Sequence, residues 1–169
     1  MKINKLSTQR MEDIQSTFGL PPLCAKVLAA KGLANDEIAA LLQEPKLSDP
    51  FCANGVKEVA DRLYQAKQKK EKVLVCGDYD ADGICATAIM VDALRSYGID
   101  CGFYIPNRFS EGYGLHENTV GLAKQKGYTL LITVDNGVKA KTALSFAHTM
   151  GIDVIVTDHH SMDEEVTCL

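Results

Sequence analysis

The chain has 169 residues, 46% of them hydrophobic, and its 18 lysines and arginines against 22 aspartates and glutamates leave a formal net charge of −4. This length suits one domain with an appended piece, and the apolar content excludes a disordered chain. The acidic balance argues against a chain-wide nucleic-acid footprint, which is normally basic, so any basic groove is local or supplied elsewhere.

No apolar run approaches the roughly 20 residues that cross a bilayer. The opening Met1-Lys-Ile-Asn-Lys-Leu-Ser7 lacks the apolar core of a secretory signal. A soluble, cytoplasmic, monomeric protein without membrane contact is expected. Of the six cysteines, Cys76 and Cys101 fall in expected strands and Cys85 in an expected helix; Cys24, Cys52 and Cys168 are scattered, and no C-x-x-C pair occurs. They read as reduced thiols that pack as small apolar groups.

In chain order, Pro21-Pro22 opens a helical stretch from Leu23 to Ala30 that Gly32 closes, and Asn35-Asp36 caps a second short helix, Glu37 to Gln43, stopped by Pro45. Residues 1–50 thus form a small helical appendage, with Ser48-Asp49-Pro50 as the joint to a second domain over 51–169. From Gly55, the residues Val56, Val59, Ala60, Leu63, Tyr64 and Ala66 recur at helical spacing, with positive charge from Lys67 to Lys72 near that helix's end. Then apolar strands alternate with helices. The strands are Val73–Gly77, Cys101–Ile105, Leu130–Val134 and Asp153–Thr157; the helices are Ile84–Tyr97, Glu117–Lys126 and Lys139–Met150. The order is that of repeated βαβ units, which predicts an α/β fold: a parallel sheet with helices on both faces.

Each strand runs directly into a polar cluster: Asp78-Tyr-Asp-Ala-Asp82, Asn107-Arg108, Asp135-Asn-Gly137 and Asp158-His-His160. In an open α/β sheet, ligands bind outside the carboxyl ends of the strands, so all four clusters share one rim. If the first stays extended, period-2 geometry points Asp78, Asp80 and Asp82 to one side, where they repel until a hard divalent cation such as Mg²⁺ or Mn²⁺ joins them. The alternative is a solvated acidic loop capping the helix at Ile84. Asp135-Asn136-Gly137 taken alone reads more readily as a turn and helix cap than as a metal site. In Asp158-His159-His160 the adjacent imidazoles point in different directions, giving one metal ligand and one group facing substrate, while a neighbouring carboxylate can orient a ring.

Together these clusters have the composition of a two-metal site for in-line displacement at phosphorus. Arg108 can grip a phosphate bidentately, and Gly112 and Gly114 let backbone amides approach an anion. His116 and His148 stand outside this set.

The segments Gly77-Asp-Tyr-Asp-Ala-Asp-Gly83, Pro106-Asn-Arg-Phe-Ser-Glu-Gly-Tyr-Gly-Leu115, Thr133-Val-Asp-Asn-Gly137 and Val156-Thr-Asp-His-His160 resemble the four leading motifs of the DHH phosphoesterase superfamily, in order and at its spacing. The stretch from Asn107 to Leu115, with Leu20-Pro-Pro-Leu23 and Lys31-Gly-Leu33, is similar to the RecJ family of bacterial single-strand-specific 5′→3′ exonucleases. The resemblance implies that Asp80, Asp82, Asp135 and His159 ligate two Mn²⁺ or Mg²⁺ ions, with Asp135 bridging and Asp78 and Asp158 supporting or joining them. It implies that His160 faces the scissile phosphate and that Asn107, Arg108, Gly112 and Gly114 contact substrate.

The implied reaction is release of 5′-mononucleotides from the 5′ end of single-stranded DNA by metal-activated water, in DNA repair and recombination. Family members are several times longer, and a further aspartate ligand, a second catalytic subdomain and an OB-fold lie downstream in them. The chain is therefore expected to be an amino-terminal piece with an incomplete catalytic subdomain, weak or inactive alone, its replication and repair partners recruited through the absent regions. Two other readings are a DHH phosphodiesterase for short oligonucleotides or cyclic dinucleotides, and a non-catalytic DHH-like interaction module.

Overall fold

A computed structural model of the chain describes residues 8–43 and 48–161, which divide between two compact units, Met1–Asp49 and Pro50–Leu169. The first unit holds helices α1 (Thr8–Phe18), α2 (Pro22–Lys31) and α3 (Asn35–Leu42). Each sends one fully buried residue to a shared core, Ile14, Ala25 and Ile38, surrounded by Met11, Phe18, Leu20, Leu28 and Leu33. Helix α2 begins with proline in its first turn, where no backbone N–H is needed, and ends at Gly32 in the left-handed conformation. Helix α3 starts two residues before its expected beginning: the Ala34 N–H donates to the Glu37 carboxylate at 2.7 Å, so Asn35 and Asp36 already lie inside the first turn. Helix α1 was not expected from sequence, although Met11, Ile14 and Phe18 carry its apolar spacing. The expected stop at Pro45 lies outside the described residues.

In the second unit a 3₁₀ turn, Pro50–Cys52, precedes α4 (Val56–Gln68), and four strands then alternate with three helices: β1 (Val73–Cys76), α5 (Ala81–Tyr97), β2 (Cys101–Tyr104), α6 (Glu117–Gln125), β3 (Leu130–Val134), α7 (Lys141–Thr149) and β4 (Asp153–Thr157). All strand pairings are parallel, in the order β2-β1-β3-β4. The central strands β1 and β3 are buried at every residue, which is why they read as continuous apolar runs rather than alternating ones.

Side chains leave the sheet alternately to its two faces. Val73, Val75, Leu130 and Ile132 pack with Ala66 of α4 and Val91 and Leu94 of α5. Leu74, Cys76 and Leu131 pack on the opposite face with Val120 and Ala123 of α6 and Ala143 and Ala147 of α7. Each fully buried aliphatic side chain contributes about 1.5–3 kcal/mol, so this double-sided core fixes the sheet and hence the level of its strand ends. Cys76 and Cys101 belong to the core as free thiols, with burial pushing the Cys76 thiol up to about 12. None of the described helices is long and apolar enough to cross a membrane.

The amino-terminal edge of the sheet is tied to α4 by ion pairs. Arg62 donates to Glu71 at 2.8 Å and to Asp153 at 2.8 Å, and the Thr129 hydroxyl donates to Glu71 at 2.8 Å. One guanidinium thereby joins the entries to β1 and β4. Hydrogen bonds from Arg62, opposed by burial and reinforced by Thr129, hold the Glu71 carboxyl below its ordinary value. A carboxyl whose folded pKa is depressed stabilises the fold above its unfolded value and loses that contribution as pH falls through the folded one. Stability is expected to drop as pH is lowered from about 5 toward 3, and Glu71→Gln is expected to flatten that acid limb while lowering stability at neutral pH; urea denaturation across the range checks both.

A second prediction concerns Gly83 in the first turn of α5. A Cβ there would lie 2.7 Å from the Asp78 Cβ and carbonyl oxygen. Gly83→Ala is expected to lower unfolding stability by about 1–3 kcal/mol through overpacking, measured by thermal or urea denaturation.

Candidate metal centre

Strand register sets the level of the site. Cys76 pairs with Thr133, and Thr133 with Val156; Asp78, Asp135 and Asp158 each follow two residues later, at one height above three adjacent strands. The chain passes from β1 out to β2 and then returns to the other side of β1 to form β3, so β1 and β3 flank the point where the connections reverse. Crevices open at such points in α/β sheets.

The first acidic motif does not stay extended. Helix α5 begins at Ala81, three residues earlier than expected, because the Asp80 carboxylate accepts the Gly83 N–H at 2.9 Å and caps the helix. The three carboxylates therefore do not line up on one side by strand geometry. Asp78 is buried, 1% exposed, with Oδ1 facing no hydrogen-bond partner. Asp80 is exposed at the helix start, and Asp82 is exposed on the first turn.

Asp135, His159 and His160 converge. A carboxylate oxygen of Asp135 and one ring nitrogen from each histidine lie within 4.8 Å of one another. His159 Nε2 is 2.8 Å from Asp135 Oδ1, and the two imidazole centroids are 4.6 Å apart. The rings thus share one side of the site instead of diverging as expected. Behind them Asp158, its side chain 2% exposed, accepts from the Val138 and His160 N–H groups at 3.1 Å each and meets His160 Nδ1 at 2.7 Å. Burial pushes the Asp158 carboxyl up, but these hydrogen bonds outweigh it and hold the group below its ordinary value. The same carboxylate raises the His160 imidazole and favours a proton on Nδ1, leaving Nε2 free to accept.

Two residues near this cluster were not singled out from sequence. Asn136 is fully buried; its Nδ2 donates to the Cys76 carbonyl at 3.0 Å and the Val134 carbonyl at 2.9 Å, clasping β1 to β3 just beyond their paired residues. Asp-Asn-Gly suggests only a turn, and nothing in the local pattern announces this clasp. Tyr113 reaches in from the loop before α6: its hydroxyl donates to the Asp135 carbonyl at 2.8 Å and lies 3.3 Å from His160 Nδ1. Burial, then the negative field of Asp158, Asp78, Asp135 and Asp80, pushes the Tyr113 phenol up to about 12, so it stays a donor. Its neighbours Gly112 and Gly114 both have φ near +80°, a conformation side chains resist, and together they turn Tyr113 toward the cluster.

The remaining candidates lie on the same loop. The Asn107 side-chain oxygen accepts the Phe109 N–H at 2.9 Å, and the Asn107 N–H donates to the Glu111 carboxylate at 2.7 Å, so Asn107 builds the turn that carries Arg108. The Arg108 guanidinium sits 5.4 Å from the centre of the Tyr79 ring, which meets Tyr113 edge-on. His116, set aside on sequence, lines a cleft of about 420 Å³ together with Tyr113, Lys139, Thr142, Asp158 and His160. His148 is exposed on α7, away from this set.

The donor set fits a borderline-to-hard divalent cation: carboxylate oxygens and imidazole nitrogens without thiolate, plus a buried carboxylate oxygen with no partner.

Comparison with known proteins finds relatives of this chain in both sequence and fold. Residues 72–168 match the DHH family, N-terminal domain. The single-stranded-DNA-specific exonuclease RecJ of Bacillus subtilis (strain 168) is 38% identical over 168 residues, 98% of this chain and 21% of that protein. RecJ of Escherichia coli (strain K12) is 37% identical over 147 residues, covering 83% and 24%. A crystal structure of exonuclease RecJ bound to manganese superimposes with a TM-score of 0.65 at 36% identity, over 72% of this chain and 31% of that one. RecJ from Thermus thermophilus in complex with Mn²⁺ gives 0.64 at 27% identity, over 98% and 23%. The chain spans between 21% and 31% of the length of these relatives. With its four strands and the acidic and histidine clusters that follow them inside the matched region, the chain belongs to the DHH family.

Proposed function

We propose that the chain forms the metal-binding part of the active site of a single-strand-specific 5′→3′ exonuclease that works on DNA in repair and recombination. The observation that carries this reading is the convergence of Asp135, His159 and His160 within 4.8 Å, beside Asp158 and the unpartnered Asp78 oxygen. The Asp135 carboxylate and the two imidazoles offer oxygen and nitrogen ligands to one divalent cation, whose charge the neighbouring Asp78 and Asp158 carboxylates also favour. Asp78, Asp80, Asp82, Asp135 and His159 hold two Mn²⁺ or Mg²⁺ ions in this reading, the metals named in the structures of the RecJ relatives. Bound there, the ions supply Lewis acidity toward phosphorus and a water of lowered pKa.

The protein's own groups have distinct tasks. Asp158 holds His160 through Nδ1 so that the ring presents its other nitrogen to the scissile phosphate. Arg108, carried on the Asn107 turn and resting over Tyr79, is placed to grip a substrate phosphate through its planar fork. Backbone amides at Gly112 and Gly114 can approach the same anion. A second reading, hydrolysis of short oligonucleotides or cyclic dinucleotides, draws support from the cleft beside Asp158 and His160, whose volume of about 420 Å³ suits a small ligand.

Calorimetric titration of Mn²⁺ is expected to show binding by the wild-type chain and a loss of more than roughly 100-fold in Asp135→Ala, beyond the range seen when only supporting groups are removed. Absence of binding in both would remove the metal site and leave a non-catalytic module. Digestion of 5′-labelled single-stranded DNA with Mn²⁺ is expected to outpace digestion of a dinucleotide, and the opposite preference would select the second reading.

A further inference from the structure

We infer that Tyr113 is a positioning residue for Asp135: its hydroxyl pins the Asp135 carbonyl and so holds the carboxylate at the angle that metal binding requires. The inference rests on the metal reading of the site and extends it to a residue outside the ligand set.

Asp135 is one of two described non-glycine residues with positive φ, at 62°. Side chains resist this left-handed conformation, which persists only where the surroundings enforce it. Enforcement comes from both ends of the residue. The Asp135 N–H donates to the Thr157 carbonyl at 2.9 Å, continuing the β3–β4 ladder, and the Asp135 carbonyl accepts from Tyr113 at 2.8 Å. The first bond belongs to the sheet; the second is made by a side chain whose flanking glycines, Gly112 and Gly114, serve to deliver it. Between these two anchors the Asp135 side chain meets His159 Nε2 at 2.8 Å.

Hydrogen-bond accounting assigns the hydroxyl this task rather than proton transfer. A tyrosine has one O–H, and a carbonyl can only accept, so the proton points at Asp135. His160 Nδ1 already faces the Asp158 carboxylate at 2.7 Å, closer than the 3.3 Å to Tyr113. No acidic hydrogen remains on Tyr113 for a substrate.

The test compares wild type with Tyr113→Phe in the 169-residue chain, which keeps the ring against Tyr79 and His160 and deletes only the hydroxyl. Mn²⁺ affinity is read by calorimetry, and thermal unfolding is followed with the metal chelated. The expected result is a loss of roughly tenfold in Mn²⁺ affinity, the scale for groups that orient a ligand, with the metal-free unfolding midpoint unchanged. Wild-type affinity in Tyr113→Phe would overturn the inference, as would a loss of affinity matched by a fall in the metal-free midpoint, which would make the residue merely structural. If wild type itself takes up no Mn²⁺, the underlying metal reading fails instead, and the two failures are told apart.

Discussion

Asp78, Asp135 and Asp158 stand level at the ends of three adjacent strands, and the rest of the structure depends on the parallel pairing that holds them there. The level itself is a property of the parallel register: once Cys76, Thr133 and Val156 are paired, Asp78, Asp135 and Asp158 rise together. Parallel pairing in turn needs both sheet faces covered, which the helices on either side accomplish. The stability of the sheet therefore comes from ordinary apolar burial, and the strained part is confined to its rim. At the rim, backbone amides and His160 bond the Asp158 carboxylate, His159 meets that of Asp135, Tyr113 holds the Asp135 carbonyl, and Asp78 keeps one oxygen without a partner.

The residues of the rim are carried on rigid elements. Asn136 ties β1 to β3 by donating to a carbonyl of each. Asp80 is fixed by the same bond that starts α5, and Gly83 lets that helix approach Asp78 closely. Each carboxylate is thereby attached to a rigid element, as a preorganised site requires. The loop carrying Arg108 and Tyr113 is held by its own turn, with the Tyr104 hydroxyl and the Asn107 N–H both donating to the Glu111 carboxylate.

Much of this was legible in the sequence, for identifiable reasons. The strands are short apolar runs bounded by glycine and aspartate, and the helices between them end at Gly98, Gly127 and Gly151, so the alternation and the parallel sheet could be read directly. What the strands deliver to the rim followed from counting one or two residues past each run. Other features were hidden. Strand order depends on the β2-to-β3 connection stepping back across β1, which no local pattern encodes. The alternation of acids in Asp78-Tyr-Asp-Ala-Asp82 imitates an extended strand, and of the two readings it allowed the helix cap is the one realised, three residues earlier than expected, with Asp80 accepting the N–H three residues on. Tyr113 and Asn136 escaped notice because their bonds are to backbone carbonyls distant in sequence. Helix α1 has too sparse an apolar stripe to stand out among its polar residues.

The central claim is that the rim of the sheet is a divalent-metal centre built around Asp135. The most direct measurement is anomalous diffraction from crystals of the chain grown with Mn²⁺. The account predicts manganese peaks at the strand ends, where Asp135 and His159 would hold the metal. Manganese found only at surface carboxylates away from the strand ends, with Asp135 and His159 still bonded to each other, would contradict it.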